Sequence, residues 1–336
     1  MSVNMGIVYQ RSVIHICFPF PYCIKLEMSS SRISTLALHC GIEPDLFDRY
    51  VSSTVLEKVF DTNNKFLECL SHTAKTSFGK NVQFAPLTIS TMTITGKFKH
   101  ELDIEMPIER IREALTTCPP GEGLYLGVKP PPKRRTAATK DPPDVRKFKH
   151  QVSFMLDKKS AKLFYNQTVH ATGFSSLVDF LQMMILIAQF VEEHVDIHMI
   201  FDDFTINMIN SGTIVQSNNF PLSFPPKAVY LHAQRAGLEA FFDPERHPAV
   251  KLLLFDGSKK VSTAFIFGTG NIVIFGSRDT AYISKMFTVV VNLLSDISHL
   301  GTPTALRKTT VKKEFCVSHG YLTSSYKLCI QTCKED

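Results

Sequence analysis

The fold of this chain is decided by residues 261–297, VSTAFIFGTGNIVIFGSRDTAYISKMFTVVVNLLSDI. Val261–Phe267 and Asn271–Phe275 are rich in β-branched and aromatic residues, and Gly268-Thr269-Gly270 separates them, which predicts a β-hairpin. The following segment, Thr280–Ile297, has the apolar spacing of an amphipathic helix. The stretch therefore predicts a strand, a tight turn, a second strand and a long helix.

The same order of elements occurs earlier in the chain. Gln151–Leu156 and Lys162–Thr168 are predicted strands around a polar turn, and Ser175–Glu193 is a predicted long helix. Further upstream, the strand-like Leu87–Thr95 is similar to Phe204–Ile209. Matching glycines at 96 and 212 and matching valines at 152 and 261 give offsets of 212 − 96 = 116 and 261 − 152 = 109. Similar offsets indicate an internal duplication, and two such halves can join their strands into one antiparallel sheet.

The composition describes a chain with a substantial core. Of 336 residues, 44% are hydrophobic and 20% are charged, and the net charge is 37 − 31 = +6. These values exclude a largely disordered protein and a binder that depends on charge density alone. Eight cysteines are too few for a disulfide scaffold, and no apolar run is long enough for a membrane span. The apolar segment Ile14–Ile24 is compatible with a signal peptide, while Met28 is an alternative start.

Four regions follow from these patterns. Residues 1–85 are a partly helical N-terminal extension, with an amphipathic helix predicted in Pro44–Phe60. Residues 86–194 and 195–298 are the two halves, and the first of them also contains a short helix at Met106–Leu115 and a strand at Leu124–Val128. Residues 299–336 form a C-terminal tail.

A basic loop interrupts the first half at residues 129–149, KPPPKRRTAATKDPPDVRKFK. Its density of Pro, Lys and Arg excludes a place in the core. Two interpretations stay open, a solvated loop and a loop that contacts nucleic-acid phosphates. The second interpretation assigns the contacts to Lys133, Arg134 and Arg135.

The chain resembles the TATA-box-binding protein family over about residues 86–297. The order of Phe204–Phe224, Asp243–Pro248 and the hairpin at 265–276 is that of one repeat of this family. It is similar in particular to the diverged TATA-binding-protein-like factors of nucleocytoplasmic large DNA viruses. The resemblance implies an α+β fold, a pseudo-twofold saddle of two repeats, whose curved antiparallel sheet carries two long helices on its convex face. The family is a standard example of proteins that insert apolar wedges in the DNA minor groove and bend the duplex.

The resemblance also implies a set of DNA-contacting residues, with departures. One wedge position of the second repeat falls on Phe267, and the other falls on His247, which is less apolar than the family's phenylalanine. In the first repeat, one wedge position falls on Leu156 and the other near Glu122, which does not fit. The paired central asparagines of the family fall on Thr88 and on Met208. The remaining groove-facing positions are Phe265, Phe275, Val273, Thr263, Phe164, Asn166, Ser90 and Asn210.

The function implied is that of a transcription initiation factor. Such a protein binds promoter DNA, in this case AT-rich, as a monomer, and recruits RNA polymerase and a second general initiation factor of viral or host origin. The expected location is the nucleus or a cytoplasmic viral factory, with packaging in the virion as an open alternative. The alternative function is a protein-interaction module of a viral transcription apparatus that does not bend DNA. No phosphate-binding loop, nucleophile elbow or dinucleotide motif is present in the sequence, so we expect no enzyme, no cofactor and no membrane partner.

The C-terminal tail contains Cys316, His319, Cys329 and Cys333. The residue types and the spacing are compatible with a small tetrahedral zinc site. Free thiols are the alternative, and the sequence leaves both open.

Overall fold

The computed structural model describes residues 42–77, 82–100, 104–119, 123–127, 150–217 and 220–303 with their side chains, and 312–318 and 321–327 as backbone. The helices are α1 Pro44–Tyr50, α2 Ser53–Thr76, α3 Ile108–Thr116, α4 Leu177–Val195, α5 Pro226–Arg235 and α6 Thr280–Asp296, followed by a 3-10 turn at Ser298–Leu300. The strands are β1 Gln83–Phe84, β2 Thr88–Lys99, β3 Tyr125–Leu126, β4 Gln151–Leu156, β5 Lys159–Phe164, β6 Thr168–Phe174, β7 Ile200–Ser217, β8 Phe220–Ser223, β9 Ala240–Phe241, β10 Ala249–Asp256, β11 Lys259–Phe267, β12 Asn271–Ser277, β13 Thr302–Pro303, β14 Lys312–Ser318 and β15 Tyr321–Lys327.

One open, curved antiparallel sheet organises the molecule. Its main strand order is β3-β4-β5-β6-β2-β7-β12-β11-β10-β9, and β14 and β15 form a separate hairpin. The order on the β2 side repeats in reverse on the β7 side, so that β2 and β7 are the central pair and each half ends in a two-residue edge strand. The short strands β1, β8 and β13 extend the sheet at the end of β7. The expectation of a mixed helix and antiparallel-sheet fold is confirmed.

The sheet has one buried face and one open face. The register aligns Phe154, Ala161, Ala171 and Ile94 across β4, β5, β6 and β2, and all four side chains are buried. The residues between them are part-exposed, because successive side chains of a strand point to opposite faces. We call the side of Phe154 and Ile94 the buried face and the opposite side the open face. The same alternation continues on β11 and β12, where Ala264, Ile266, Ile272 and Ile274 are buried.

Helix α4 packs on the buried face through aromatic contacts. The Phe190 ring lies 6.1 Å from the Phe154 ring, and the Phe180 ring lies 5.6 Å from Phe174 and 5.7 Å from Phe204. The helix begins where the Ser176 side chain accepts a hydrogen bond from the Asp179 backbone N–H at 3.1 Å. Burying side chains of this size stabilises the fold by about 1.5–3 kcal/mol each.

The N-terminal helices contact β7 and α6 of the second half. Val51 forms an isolated parallel bridge with Phe201, and the Ser52 backbone N–H donates to the Phe201 carbonyl at 3.0 Å. Further along α2, Cys69 accepts a hydrogen bond from the Ser284 hydroxyl of α6 at 3.2 Å, and burial raises the pKa of its thiol. The prediction of a helix within Pro44–Phe60 understates this region, which contains two helices that extend to Thr76.

An ion pair fixes α1 to the end of α4. Arg49 donates to the Glu192 carboxylate through both Nε and Nη2, and this hydrogen-bonded pair lowers the pKa of Glu192 to about 2. Burial is the first cause that raises the pKa of Tyr50 to about 12, and hydrogen bonding to Glu192 is the second. His198 Nδ1 lies 3.2 Å from the same carboxylate. The end of α4 is therefore held to α1 by an ion pair, and His198, in the segment that leads to β7, lies against the same carboxylate.

The structure corrects the hairpin expected in the first half. Lys162–Thr168 is not one strand, because β5 ends at Phe164, residues 165–167 turn, and β6 begins at Thr168. The hairpin that corresponds to β11–β12 is therefore β5–β6, since β6 pairs with β2 as β12 pairs with β7. The offset between the two hairpins is 271 − 168 = 103, and the expected match of Val152 with Val261 is wrong. The strand expected at Leu87–Thr95 is longer than expected and continues through Gly96 to Lys99.

Among the described residues, no helix combines the length and the apolar character needed to cross a membrane.

Candidate functional site: the open face of the sheet

An aromatic cluster occupies the open face of the second half. Phe265 of β11 and Phe275 of β12 are part-exposed, with ring centroids 4.8 Å apart. The exposed His247 stacks on Phe265 at 4.6 Å with an interplanar angle of 29°, and it lies 5.7 Å from the Phe267 ring. We call His247, Phe265, Phe267 and Phe275 the aromatic cluster. The structure thus brings together four residues that the resemblance described above predicts on this surface.

Two further predicted residues extend this surface. Val273 is part-exposed and pairs with Phe265 on one side and Gly212 on the other. Thr263 is predicted on the same face and lies there, but it is 1% exposed because Leu253 and Phe275 flank it in the register. Thr263 therefore supports the rings, whereas Val273 continues the apolar surface toward the central strands.

The hairpin turn fixes Phe267 at the end of β11. Gly270 has φ +80°, and a Cβ there would lie 2.1 Å from the Leu222 carbonyl oxygen, so the position requires glycine. The Gly268 carbonyl accepts hydrogen bonds from the Phe224 N–H at 2.9 Å and from the Ser223 hydroxyl at 2.7 Å. The turn is therefore held against the segment after β8, and Phe267 is presented from a rigid support.

The two central strands carry hydroxyl and amide side chains on the open face. The Thr88 hydroxyl donates to the Gly212 carbonyl at 3.2 Å, and the Ser90 hydroxyl donates to the Asn210 carbonyl at 3.1 Å. Asn207 lies at a bulge, where its amide donates to the Thr95 hydroxyl at 3.0 Å. The side-chain oxygen of Asn210 is buried, and it finds no hydrogen-bond partner within the part of the chain described.

The open face of the first half is more polar than that of the second. Phe164, at the end of β5, is part-exposed and pairs with Gln151, while Lys162 pairs with Ser153 and His170. Asn166 lies in the turn, where its side-chain oxygen accepts from the Thr168 hydroxyl at 2.7 Å. Asn166 therefore stabilises the turn that presents Phe164.

The Leu156 side chain lies on the other side of the sheet. It alternates with Ser153 and Met155 and lies on the same face as Val152 and Phe154, packed against the core. The corrected hairpin explains this position, because the residue that ends β5 as Phe267 ends β11 is Phe164. Leu156, expected as the first-half counterpart of Phe267, therefore lies on the buried face, and Phe164 occupies the corresponding position at the end of β5.

Several predicted residues lie outside the description. Glu122 and the basic-loop residues Lys133, Arg134 and Arg135 fall in undescribed segments. The same is true of His319, Cys329 and Cys333, and Cys316 is described only as backbone in β14. Among the described side chains, no group of three or more His, Cys, Asp or Glu residues could hold a metal ion.

The strands of the large sheet carry more positive than negative charge. Carboxylates occur on them only at Asp202, Asp203 and Asp256. Asp203 binds Lys58 of α2 at 2.8 Å, which lowers its pKa, and Asp256 accepts from the Tyr282 hydroxyl of α6 at 2.6 Å. The lysines of these strands are Lys97, Lys99, Lys159, Lys162, Lys251, Lys259 and Lys260.

The sequence does not predict several residues of this face. Lys97, Lys162, His170 and Asn207 all lie on the open face, and none was predicted. The alternation of β5 and β6 would have indicated Lys162 and His170 if the turn at 165–167 had been recognised. Asn207 is displaced by a bulge, for which the sequence carries no signal.

Over the described residues, the strand pairing and the faces define an α+β protein with one large open sheet, built from two halves of the same strand order, and a separate two-stranded hairpin. No protein-family model matches the chain, and no curated protein matches it significantly. Among solved structures it is similar to the TBP of Methanococcus jannaschii, with a TM-score of 0.40 and 15% sequence identity, over 62% of this chain and 98% of that chain. The description of the fold rests on the strand order and register of this chain and not on that similarity.

Proposed function

We propose that this chain binds double-stranded DNA through the open face of its sheet and acts as a transcription initiation factor. In this proposal the two halves form a pseudo-twofold saddle with the open face on its concave side and α4 and α6 on its convex side. The observation that carries the proposal is the aromatic cluster, which stays part-exposed on a rigid sheet. Apolar surface of this kind typically marks an interaction site.

The charge of the sheet supports a polyanionic partner. Lys97 and Lys99 alternate with buried Phe98 and are exposed on the open face, and Lys162 lies two strands away. Of the three carboxylates on the strands, Asp203 and Asp256 are engaged by residues of the helices. Lysines that border a binding face contact phosphates and position the protein on the duplex without reading sequence.

The shape and chemistry of the face favour the minor groove. Hydroxyl and amide groups of the central strands, such as Asn207 and Thr95, suit the acceptors of A·T pairs, which supports a preference for AT-rich promoters. Phe267 and Phe164 end equivalent strands in the two halves, each beside a turn. These two residues are the proposed wedges, and inserting them between base steps would bend the duplex.

The wider role rests on the resemblance to TATA-box-binding proteins. We propose that the chain binds promoters as a monomer and recruits RNA polymerase and a second general initiation factor, without catalytic activity of its own. A viral origin, with action in the nucleus or in a cytoplasmic viral factory, is part of the same proposal. Packaging in the virion is its open alternative.

The test is a bending measurement on an AT-rich duplex labelled at both ends for fluorescence transfer. Base–aromatic stacking is worth about 1–3 kcal/mol, so Phe267→Ala should weaken binding by about 5- to 150-fold and reduce the bend. Phe164→Ala should act in the same direction but less strongly, because its surroundings are polar. Phe255→Ala is the matched control, since this ring is 40% exposed on β10 but lies outside the aromatic cluster.

A protein-interaction module that does not bend DNA is the second candidate. It is favoured by the stacking of His247 on Phe265, which covers part of the surface that a duplex would contact. A wild-type complex in which the duplex stays straight, with equal affinities for all three variants, would support this candidate and contradict DNA bending.

A further inference from the structure

His247 is exposed, yet three contacts hold the residue, two through its ring and one through its backbone. Its face stacks on Phe265 at 4.6 Å, and its backbone N–H donates to the Asp243 carbonyl at 2.9 Å. Its Nδ1 accepts a hydrogen bond from the Ala249 backbone N–H at 3.2 Å. A side chain at the surface ordinarily rotates freely, so this degree of support marks a preorganised group.

The contact with Ala249 fixes the tautomer. Because Nδ1 is the acceptor, the neutral imidazole carries its proton on Nε2. His247 is exposed and its Nε2 finds no acceptor among the described residues, so this N–H is available to a bound molecule. The result is a single hydrogen-bond donor, held at the edge of an aromatic surface that is otherwise apolar.

We propose that His247 determines base preference by donating its Nε2–H to an acceptor on the floor of the minor groove. This inference rests on the proposed function and assigns the residue a polar role, since its ring lies flat on Phe265 and does not project as a wedge. The minor-groove edges of A·T pairs present only the acceptors N3 of adenine and O2 of thymine. A G·C pair adds the guanine 2-amino donor, which would face the Nε2–H and exclude it.

Three duplexes test this chemistry, one of A·T pairs, one of G·C pairs and one of inosine·C pairs. Inosine lacks the 2-amino group, so its pair with cytosine is similar to A·T in the minor groove while it keeps the major-groove edge of G·C. His247→Phe keeps a stacked ring and removes the donor. His247→Gln keeps an N–H donor and removes the ring. Arg246→Gln is the matched control, because Arg246 is the adjacent residue and its side chain is 88% exposed.

Wild-type protein should bind the inosine·C duplex as well as the A·T duplex and the G·C duplex about tenfold more weakly, which corresponds to one lost hydrogen bond. His247→Phe should bring the ratio of the G·C and inosine·C dissociation constants close to one, and His247→Gln should also lower it, because its side-chain oxygen can accept a hydrogen bond from the guanine 2-amino group. Arg246→Gln should weaken binding to all three duplexes alike.

Two results would overturn the inference while leaving DNA binding intact. The first is a wild-type ratio of one, and the second is a His247→Phe variant that keeps the wild-type ratio. Failure of the wild-type protein to bind any of the three duplexes at low salt would overturn the proposed function and this inference together. Thermal melting of each variant shows that the protein is folded in the assay.

Discussion

Lys97 and Lys162 provide the sharpest test of which surface contacts DNA. Both lie on the open face, on strands that are two positions apart in the sheet. Each phosphate contact contributes about 0.9 to the slope of log K against log salt concentration, so replacing both lysines by glutamine should lower the slope by about 1.8. Between ~50 and ~200 mM salt, wild-type protein should therefore lose about twelvefold more affinity than the double variant. Fluorescence anisotropy with a short labelled duplex measures both slopes.

The matched control is the double replacement of Lys65 and Lys75, two exposed lysines of α2. Each double variant changes the net charge equally, from +6 to 6 − 2 = +4. A slope that falls equally in both variants would show that only the overall charge acts. A slope unchanged in the Lys97 and Lys162 variant would refute the placement of DNA on the open face.

Three further predictions concern the loop, an ion pair and the core. Neutralising the three cations at 133–135 should weaken binding to all duplexes alike and flatten the salt dependence, and an unchanged slope in the same assay would show that the loop does not touch DNA. Glu192→Gln should destabilise the protein near neutral pH by about 1 kcal/mol, a value reduced because Arg49 is 55% exposed. Because the folded-state pKa of Glu192 is lowered to about 2, this stabilisation is present above its ordinary pKa of 4.5 and is lost as the pH falls toward 2, so urea unfolding should show wild type and variant converging there. Phe180→Ala should cost about 3–5 kcal/mol in the same unfolding assay, whereas Phe241→Ala at the half-exposed edge should cost under about 1 kcal/mol, and equal costs would contradict the packing of α4 on the sheet.

The turns explain which parts of the fold could be predicted. The second-half hairpin was predicted because glycines at 268 and 270 mark its turn. The first half has two tight turns, and only the polar one near Asp157 was recognised. The other is built from residues without glycine or proline, and Gln167 takes the left-handed conformation there at φ 66°. Such a turn carries no strong sequence signal, so the sequence predicts one strand at Lys162–Thr168 where the structure has the end of β5, a turn and the start of β6.

The residues of the candidate site can be predicted from the sequence only where the bounds of the strands that carry them are predicted correctly. Phe265, Phe267 and Phe275 follow from alternation on a correctly predicted hairpin, and the structure places them together. The sequence predicts Leu156 on the open face because the hairpin that it predicts lies closer to the N-terminus than the observed hairpin β5–β6. The orientation of His247 depends on the Ala249 N–H and the Phe265 ring, which are tertiary contacts. No local pattern specifies them.

The contacts of α2 have a consequence for the order in which the chain folds. The helix is made early in synthesis, but Cys69 meets Ser284, which is 215 residues further along, and Ser52 meets Asp202 across 150 residues. Contacts between such distant parts of a chain slow folding, because a long loop must close before they form. During translation, the apolar side of α2 therefore stays unpacked until most of the sheet and α6 have been synthesised. We expect this stage to be the one at which the nascent chain aggregates most readily and depends most on chaperones.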